Sequence, residues 1–511
     1  MSSVGERVLR GATLLTLGSI ISLLLASIGS IVIARTLGPE NYGLISIAMA
    51  IPTLLMALSD LGFGTALTRY SSIIDPKRDT YVYTGLAFKI IIAIMASATL
   101  IILAPQMAAL LGRPEVEGYL RLLSAFVLMG VVGSTVSSIA LGLGLYVFSS
   151  LSQIALTAIR IIVAVTLVLA GFGVWGALMG HVVAWSLIAV AGLLVILKVI
   201  GGFSRPSLEA LKELLSYSLP LYLPALIGIP LGQLYYMLMV RVSTNWEIGN
   251  LGVANNIMTP VGAVGGAITL TLISSLPTIL SRPQDLRDAT REGALYTSLI
   301  MPALAGGVIV VSQPLIITLY GSEYSMSPVY ASITALGIFL APLGSYVIGP
   351  YMASIGATRT LMRIEVLGAL ISLPTYIILI LNMGIIGYII AGLITSLFKA
   401  IYALRIMGEM GVPIDVRENI KMVAPTIIAL TTATPFILAP LDIMLKWILA
   451  PTIYAGTLAL LTPLLVGEEK LALIARRFSK AGILGILIAH LINIDIRIAT
   501  KIWGLRRERE G

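Results

Sequence analysis

The chain has 511 residues, of which 58% are hydrophobic and only 11% charged, with a net charge of +9. A water-soluble protein could not hide that much apolar surface behind so few charges, so a string of soluble domains is excluded despite the length. There are no cysteines, which rules out disulfides, thiolate metal sites and thiol chemistry; the bases lie between apolar stretches, where anionic lipid headgroups and not nucleic acid are the expected partners.

A membrane span needs about 20 apolar residues, and the chain offers about fourteen such stretches. Six begin near Gly11, Asn41, Tyr81, Tyr119, Phe148 and Val174, and six more near Leu215, Ile248, Ala294, Val329, Leu361 and Ile385. Two others begin near Met422 and Ile443. The expected fold is therefore an all-α integral membrane protein. Its expected parts are an N-lobe over 1–200, a linker helix over 201–214, a C-lobe over 215–408, two spans over 409–466 and a basic tail over 467–511. Arg7 and Arg10 precede a stretch too long for the apolar core of a signal peptide, so no cleavable leader is expected.

In the first span Thr16, Ser19, Ser22, Ala26 and Gly29 share one helical face, which suits either a wet cavity or a close helix contact. The second span carries Asp60 within DLGFG, where it could pair with Arg160 or Lys89 or take up a coupling proton or sodium ion, and ends near Arg69. Nine positions apart on one helix, Asp60 and Arg69 are half a turn out of phase and are not expected to meet. Lys89 lies about two turns into the third span, where it could attract an anion or snorkel to the headgroups.

Arg160 lies midway along the fifth span, on a face shared with Gln153, Thr157 and Ala164. A charge at that depth costs about 2.5–3.5 kcal/mol on insertion scales and needs a reason. Its guanidinium could hold phosphate oxygens in bidentate fashion, or be pinned to carbonyls as a helix lock. His181 in the sixth span could titrate with a proton-coupled cycle, or serve as a packing histidine.

Pro206 to Ser216 joins the halves, and LEALKELL within it reads as a short amphipathic helix. The seventh span contains Pro220, Pro224 and Pro230, candidate bends, and places Gln233 and Tyr236 near one another. Asn255, Thr259, Gly262, Gly266 and Thr269 form a small polar stripe on the eighth span. Asn255 and Asn256 together favour a cavity, because two adjacent amides rarely both find packing partners. Glu365 with Arg363 and Lys399 reads as a bracing cluster, and Lys446 near Asp442 as a local pair. Past Val466, Ala481 to Ile494 is a short apolar segment between Lys480 and Arg497, expected to lie on the inner leaflet.

The second half of the chain repeats the first. ARTLGPENYGLISIA, Ala34 to Ala48, aligns with VRVSTNWEIGNLGVA, Val240 to Ala254, placing Arg35 on Arg241, Gly43 on Gly249 and Ala48 on Ala254. At nearly the same offset GVWGALMG, Gly173 to Gly180, recurs as GIIGYIIA, Gly384 to Ala391. A doubled bundle of this kind is how many carriers form a site between two rocking halves. If the loops alternate sides, Arg35, Arg113, Arg121 and Arg241 fall on one side and nearly all other loop bases on the other. The positive-inside rule then places both termini in the cytoplasm.

ARTLGPENYG, closing the first span, and SDLGFGTALTRYSS, Ser59 to Ser72, closing the second, resemble the polysaccharide-export flippases of the Wzx type. That superfamily also holds the peptidoglycan-precursor flippases and the multidrug extrusion transporters. The resemblance covers roughly Gly5 to Val466. It implies two pseudo-symmetric lobes around a central cavity lined by spans one, two, seven and eight. It also implies that a lipid-linked oligosaccharide, on a polyprenyl or dolichyl phosphate or pyrophosphate, moves from the inner to the outer leaflet of the plasma membrane by alternating access.

A flippase makes and breaks no bond, so no catalytic residue, metal or cofactor is expected, apart from a coupling sodium ion or proton if one is used. The site expected on this reading comprises Arg160, Lys89, Asp60, Gln233, Tyr236, Asn255 and Asn256, with Asp60 or His181 for ion coupling. The protein is expected to act as a monomer. A cation-coupled multidrug antiporter is the nearest alternative, though deep bases outnumber acids in the first half. A membrane glycosyltransferase or polysaccharide polymerase would want paired outer acids, whereas Glu40, Glu115, Glu117, Glu247 and Glu323 are scattered.

Overall fold

A computed structural model describes residues 4–73, 75–280, 282–412, 414–478 and 482–503. The chain is a succession of helices: α1 (Val4–Asp60), α2 (Phe63–Ser72), α3 (Arg78–Leu111), α4 (Glu117–Gly142), α5 (Tyr146–Leu167), α6 (Gly173–Ile200) and α7 (Leu208–Val242). There follow α8 (Asn245–Ser275), α9 (Pro283–Leu319), α10 (Ser327–Leu336), α11 (Ile348–Ser354) and α12 (Thr358–Glu409). Helices α13 (Val416–Leu438), α14 (Ile443–Val466), α15 (Glu468–Phe478) and α16 (Gly482–Trp503) complete the described chain.

Among the described residues nine helical stretches are long and apolar enough to cross a membrane, or ten if α10 and α11, bent by 50°, count as one broken span. Three of the nine are hairpins. In the first, Ser150 donates to the Leu14 carbonyl near the start of α1, while Tyr146 shares a pocket with Asp60 at its end. Helix α1 must therefore reverse between, at Gly38, whose φ is 72°. In the second, Gly176 lies against Leu167 and Gly180 against Arg160 and Ala164, so α5 and α6 run antiparallel. In the third, Gly387 approaches Leu379 and Gly368 approaches Lys399 within α12. Counting each hairpin twice and adding α7 and the broken pair gives the expected fourteen crossings. The chain is a multi-pass membrane protein.

Two of these turns carry the sequence repeat in their backbone. Gly173 has φ 54° and ψ −131°, and its repeat partner Gly384 has φ 55° and ψ −128°. An L-residue with a Cβ is strained there, so both copies require glycine. The glycine three positions on, Gly176 or Gly387, lets the returning helix lie against the backbone of the outgoing one.

The chain divides into two compact units, Met1–Gly252 with Tyr376–Tyr388, and Val253–Thr375 with Ile389–Gly511. In the first unit α4 packs between α3 and α6, and α5 packs on α1 and α6. Lipid offers no hydrophobic drive for helix association, so small residues set the contacts. The first span's small face is one of these. Gly29 lies against Ile161, Ser19 meets the amide of Gln153 at 3.2 Å, and Gly18 lies against Ser150. Of the stripe's residues Gly29 makes a close helix contact, while Thr16 and Ser19 are exposed.

The linker differs from expectation. The amphipathic segment and the seventh span form one helix, α7, continuous through Pro220 and Pro230, with Ser207 capping its start by accepting from the Glu209 N–H at 3.2 Å. The preceding strap is tied to α3: Thr84 Oγ1 accepts from the Ser207 N–H at 3.0 Å, Thr80 and Ser204 share a hydrogen bond of 2.8 Å, and the Tyr81 hydroxyl donates to Glu213.

The tail also departs from a helix lying only on lipid. Helix α16 runs on to Trp503 and packs on α14 and α15, burying Ala489 and Ile492 with Leu471, Ile474, Val466 and Leu299 of the second unit. Its other face, including Leu491, Ile494 and Ile498, is exposed. Lys480, Arg506, Arg507 and Arg509, which entered the charge argument, lie outside the described residues.

Candidate functional site

The second span does not run through. After Asp60 the backbone takes two successive positive φ values, 51° at Leu61 and 73° at Gly62, and restarts as α2. Leu61 is the one non-glycine with positive φ among the described residues. Such a break frees carbonyls at the end of α1, and at membrane depth these must find donors inside the protein. Lys89 supplies them. Phe63 on α2 stacks on Phe88 of α3 at 5.0 Å, which brings the neighbouring Lys89 under the break. Lys89, only 2% exposed, donates to the Ser59 carbonyl at 2.5 Å and approaches the Asp60 carbonyl at 3.5 Å. Its ammonium also stands 3.7 Å from Asp60 Oδ1. A cation at a helix C-terminus is favoured by the helix dipole as well as by the hydrogen bonds.

Asp60 faces the other way. Its side chain is 41% exposed, and Oδ1 accepts from the Gly64 N–H at 3.3 Å, capping the first turn of α2. Beyond it lies a cleft of about 690 Å³ within the first unit, walled by Asp60, Thr65, Thr68 and Arg69, by Ser138 at the end of α4, and by Tyr146 and Tyr217. The Arg69 guanidinium carbon sits 4.5 Å from the centre of the Tyr217 ring, within range of a cation–π contact. Asp60 and Arg69 thus share one pocket. No ion pair or hydrogen bond joins them among the described residues, as expected, but the Leu61–Gly62 break lets both face the same cleft.

Arg160 is placed elsewhere, partway up α5. It is half-buried, and its guanidinium has no hydrogen bond or ion pair with any described residue. Tyr42 and His181 are near enough to feel its charge. His181 stands edge-on to Phe126 at 5.8 Å. Position 180 is glycine because a Cβ there would press on the Arg160 backbone, and this close approach holds α5 and α6 together at the level of the guanidinium.

Gln233 and Tyr236 belong to a different part of the first unit. The Gln233 Nε2 is buried with no partner among the described residues. Tyr236 packs edge-on to Tyr388 at 6.5 Å, beside a stack of Tyr235 on Tyr376 at 4.0 Å. Asn255 and Asn256 lie on α8 in the second unit, Asn255 exposed and Asn256 half-buried. The stripe they begin does not make a helix contact among the described residues, since nothing comes within 4 Å of a Cβ built on Gly262 or Gly266. Gly265, on another face, packs against Tyr346 and Met301.

Several other charges are braced, though Arg363, expected beside Glu365 and Lys399, is exposed and makes no ion pair with a described residue. Lys399 bonds Glu365 at 2.6 Å. Asp442 caps α14 through the Met444 N–H at 2.8 Å, while Lys446 turns from it to Gln313 at 3.1 Å and the Ile437 carbonyl at 2.9 Å. Arg241 donates to the Leu110 carbonyl at 3.1 Å, and Arg113 to Asn245 Oδ1 at 3.0 Å and the Ser243 carbonyl at 2.5 Å.

Within the first unit the structure pairs Lys89 with Asp60, sets Asp60 and Arg69 on the walls of one cleft, and leaves Arg160 and the Gln233–Tyr236 pair off those walls; the Asn255 stripe belongs to the second unit. The participation of Arg69 and Tyr217 was not foreseen. The available signal was DLGFG, an acid and two glycines inside an apolar span, which marks a weak point in a helix.

A model of the polysaccharide biosynthesis protein family matches residues 32–328, more than half of the chain. The succinoglycan biosynthesis transport protein ExoT of Rhizobium meliloti (strain 1021) is 21% identical over 327 residues, 64% of this chain. The match spans 65% of that relative's length, just under two thirds. The fold is shared with the lipid II flippase MurJ in its inward closed conformation, with a TM-score of 0.71 and 14% identity over 89% of this chain and 99% of that one. It is also shared with an inward-facing multidrug resistance MATE family transporter of the MOP superfamily, with a TM-score of 0.63 and 16% identity over 76% and 94%.

Proposed function

As the chain belongs to the polysaccharide biosynthesis protein family, we propose that it is a transporter that flips a lipid-linked oligosaccharide from the inner to the outer leaflet by alternating access. The headgroup of such a substrate is polar and anionic, and must cross roughly 30 Å of hydrocarbon. What carries the reading is Arg160: a half-buried guanidinium inside a span, with no hydrogen bond or ion pair to any described residue. A structural arginine at that depth is held by carboxylates or carbonyls. One left with five N–H donors suits the phosphates of a passing lipid carrier. The open stripe at Asn255, Thr259, Gly262 and Gly266 supports a wet path for sugars, and the family and the named relative support the substrate class.

The carrier lipid is a polyprenyl or dolichyl phosphate or pyrophosphate, the protein acts as a monomer in the plasma membrane, and both termini face the cytoplasm among anionic lipids. The test is flipping of a fluorescent polyprenyl-pyrophosphoryl oligosaccharide in proteoliposomes. Arg160→Ala should abolish it at unchanged protein incorporation, with Arg160→Lys retaining part, because an ammonium is a point charge without the bidentate fork. Undiminished flipping by Arg160→Ala would overturn the reading. The half-exposed Asp60 favours one second reading, a cation-coupled multidrug antiporter, and transport of a cationic dye in place of the labelled lipid would establish it.

A further inference from the structure

We propose that the cleft at the α1–α2 break is a glycan subsite, separate from Arg160, that takes neutral sugar residues of the headgroup; this rests on the flippase reading above. Three features of the cleft define its ligand. The first is the carboxylate. Asp60 Oδ1 is committed to the Gly64 N–H and to Lys89, whereas Oδ2 has no hydrogen-bond partner among the described residues. Lys89 cannot follow it into the cleft, because its ammonium is buried against the Ser59 carbonyl. The acid is thus held in place from behind and offers an acceptor in front.

The second is the opposing charge. Arg69 lines the same cleft as Asp60, its guanidinium held against the Tyr217 ring. A free phosphate entering there meets the Asp60 carboxylate, and a free cation meets Arg69. A neutral polyol does better than either, since some of its hydroxyls can donate to Asp60 while others accept from Arg69. The third is the lining. Tyr146 on the wall can offer apolar surface to a pyranose, Tyr217 holds Arg69 in place, and Thr68 turns its hydroxyl proton to the Gly64 and Ser138 carbonyls, leaving its oxygen as an acceptor. At about 690 Å³ the cleft has room for a sugar ring or two and is broadly open on its outer side.

The two sites are linked by α5, which carries Tyr146 at its first residue and Arg160 further along. At 1.5 Å per residue they are about 21 Å apart along the helix axis. Phosphate and sugar would therefore be recognised at different heights of one helix. The carrier's charge is read at Arg160, and the glycan beyond it at Asp60, Arg69 and Tyr217.

The chain has no cysteine, so Thr65→Cys places a single thiol at an exposed position on the cleft wall. The rate of its alkylation by N-ethylmaleimide is measured on the full-length protein in lipid nanodiscs. The probes are lactose, cellobiose, maltose and N,N′-diacetylchitobiose, against pyrophosphate and choline. At least one disaccharide should slow alkylation severalfold, with no slowing by the two ions. The protection should vanish in Asp60→Asn and, because that change touches the helix break, also in Arg69→Gln and Tyr217→Leu on the other wall. Protection by none of the sugars, protection by either ion as strong as by a sugar, or protection surviving all three variants would overturn the subsite. The outcome is independent of transport. A protein that flips labelled lipid yet shows no protection loses the subsite and keeps the flippase reading, and one that shows protection without flipping does the reverse.

Discussion

Gly43 and Gly249, equivalent residues in the two copies of the repeat, occupy each other's contact surface. A Cβ added at Gly43 would overlap the Asn245 carbonyl and crowd the Gly249 nitrogen, and one added at Gly249 would overlap the Pro39 carbonyl. The repeated motifs are therefore more than similar sequences; they are the two faces of one helix-to-helix contact. Gly43→Val or Gly249→Val should cost about 1–3 kcal/mol, in line with overpacking elsewhere. Gly262→Ala, with open space around it, should stay within about 0.5 kcal/mol. Thermal unfolding of the detergent-solubilised protein distinguishes the two classes.

Lys89→Met should destabilise the first unit by about 1.5–3 kcal/mol, the range for a hydrogen bond from a charged donor. The ion pair adds little, because Asp60 is largely open to solvent on its outer side. If Lys89 served only to attract substrate, the variant would instead melt like the wild type and lose transport alone.

Ser322 and Gln284 are both exposed, and the proposed orientation with both termini in the cytoplasm would put them on opposite sides of the membrane. A cysteine at Ser322 should react with an impermeant maleimide added to intact cells, and one at Gln284 only after permeabilisation. The reverse pattern would invert the orientation.

In the tail, burial pushes the Asp495 carboxyl on α16 up to about 6. A carboxyl raised on docking disfavours the docked state once ionised, so the penalty grows as pH rises from the unfolded value near 4 and is complete above about 6. Helix α16 should be better protected from hydrogen exchange at pH 5 than at pH 7.5, after correction for intrinsic rates. Asp495→Asn should flatten that difference.

How much of this could be read from the letters depends on distance along the chain. The spans, their hairpins and the shared turn at Gly173 and Gly384 follow from hydropathy and from a repeat that demands glycine, both local properties. Arg160 stood out as a candidate because a charge in an apolar run is conspicuous by itself. The pairing of Lys89 with Asp60 was among the readings open to the sequence, but its hold on the Ser59 carbonyl was not, because that answers a break at Leu61, a residue with no local tendency to positive φ. Once that break is present, helical phase no longer relates Asp60 to Arg69. Tyr217 was out of reach for another reason: it lies on α7, and only tertiary packing brings it to their cleft.

The matching dihedrals at Gly173 and Gly384 make these two steps interchangeable, although Gly171 at φ 92° has no counterpart before Gly384. A graft of Gly384–Gly387 over Gly173–Gly176 would exchange Val174 and Trp175 for two isoleucines and leave the path of the backbone alone. Such a chimera should assemble as the parent does, whereas the same graft moved by a single position should not.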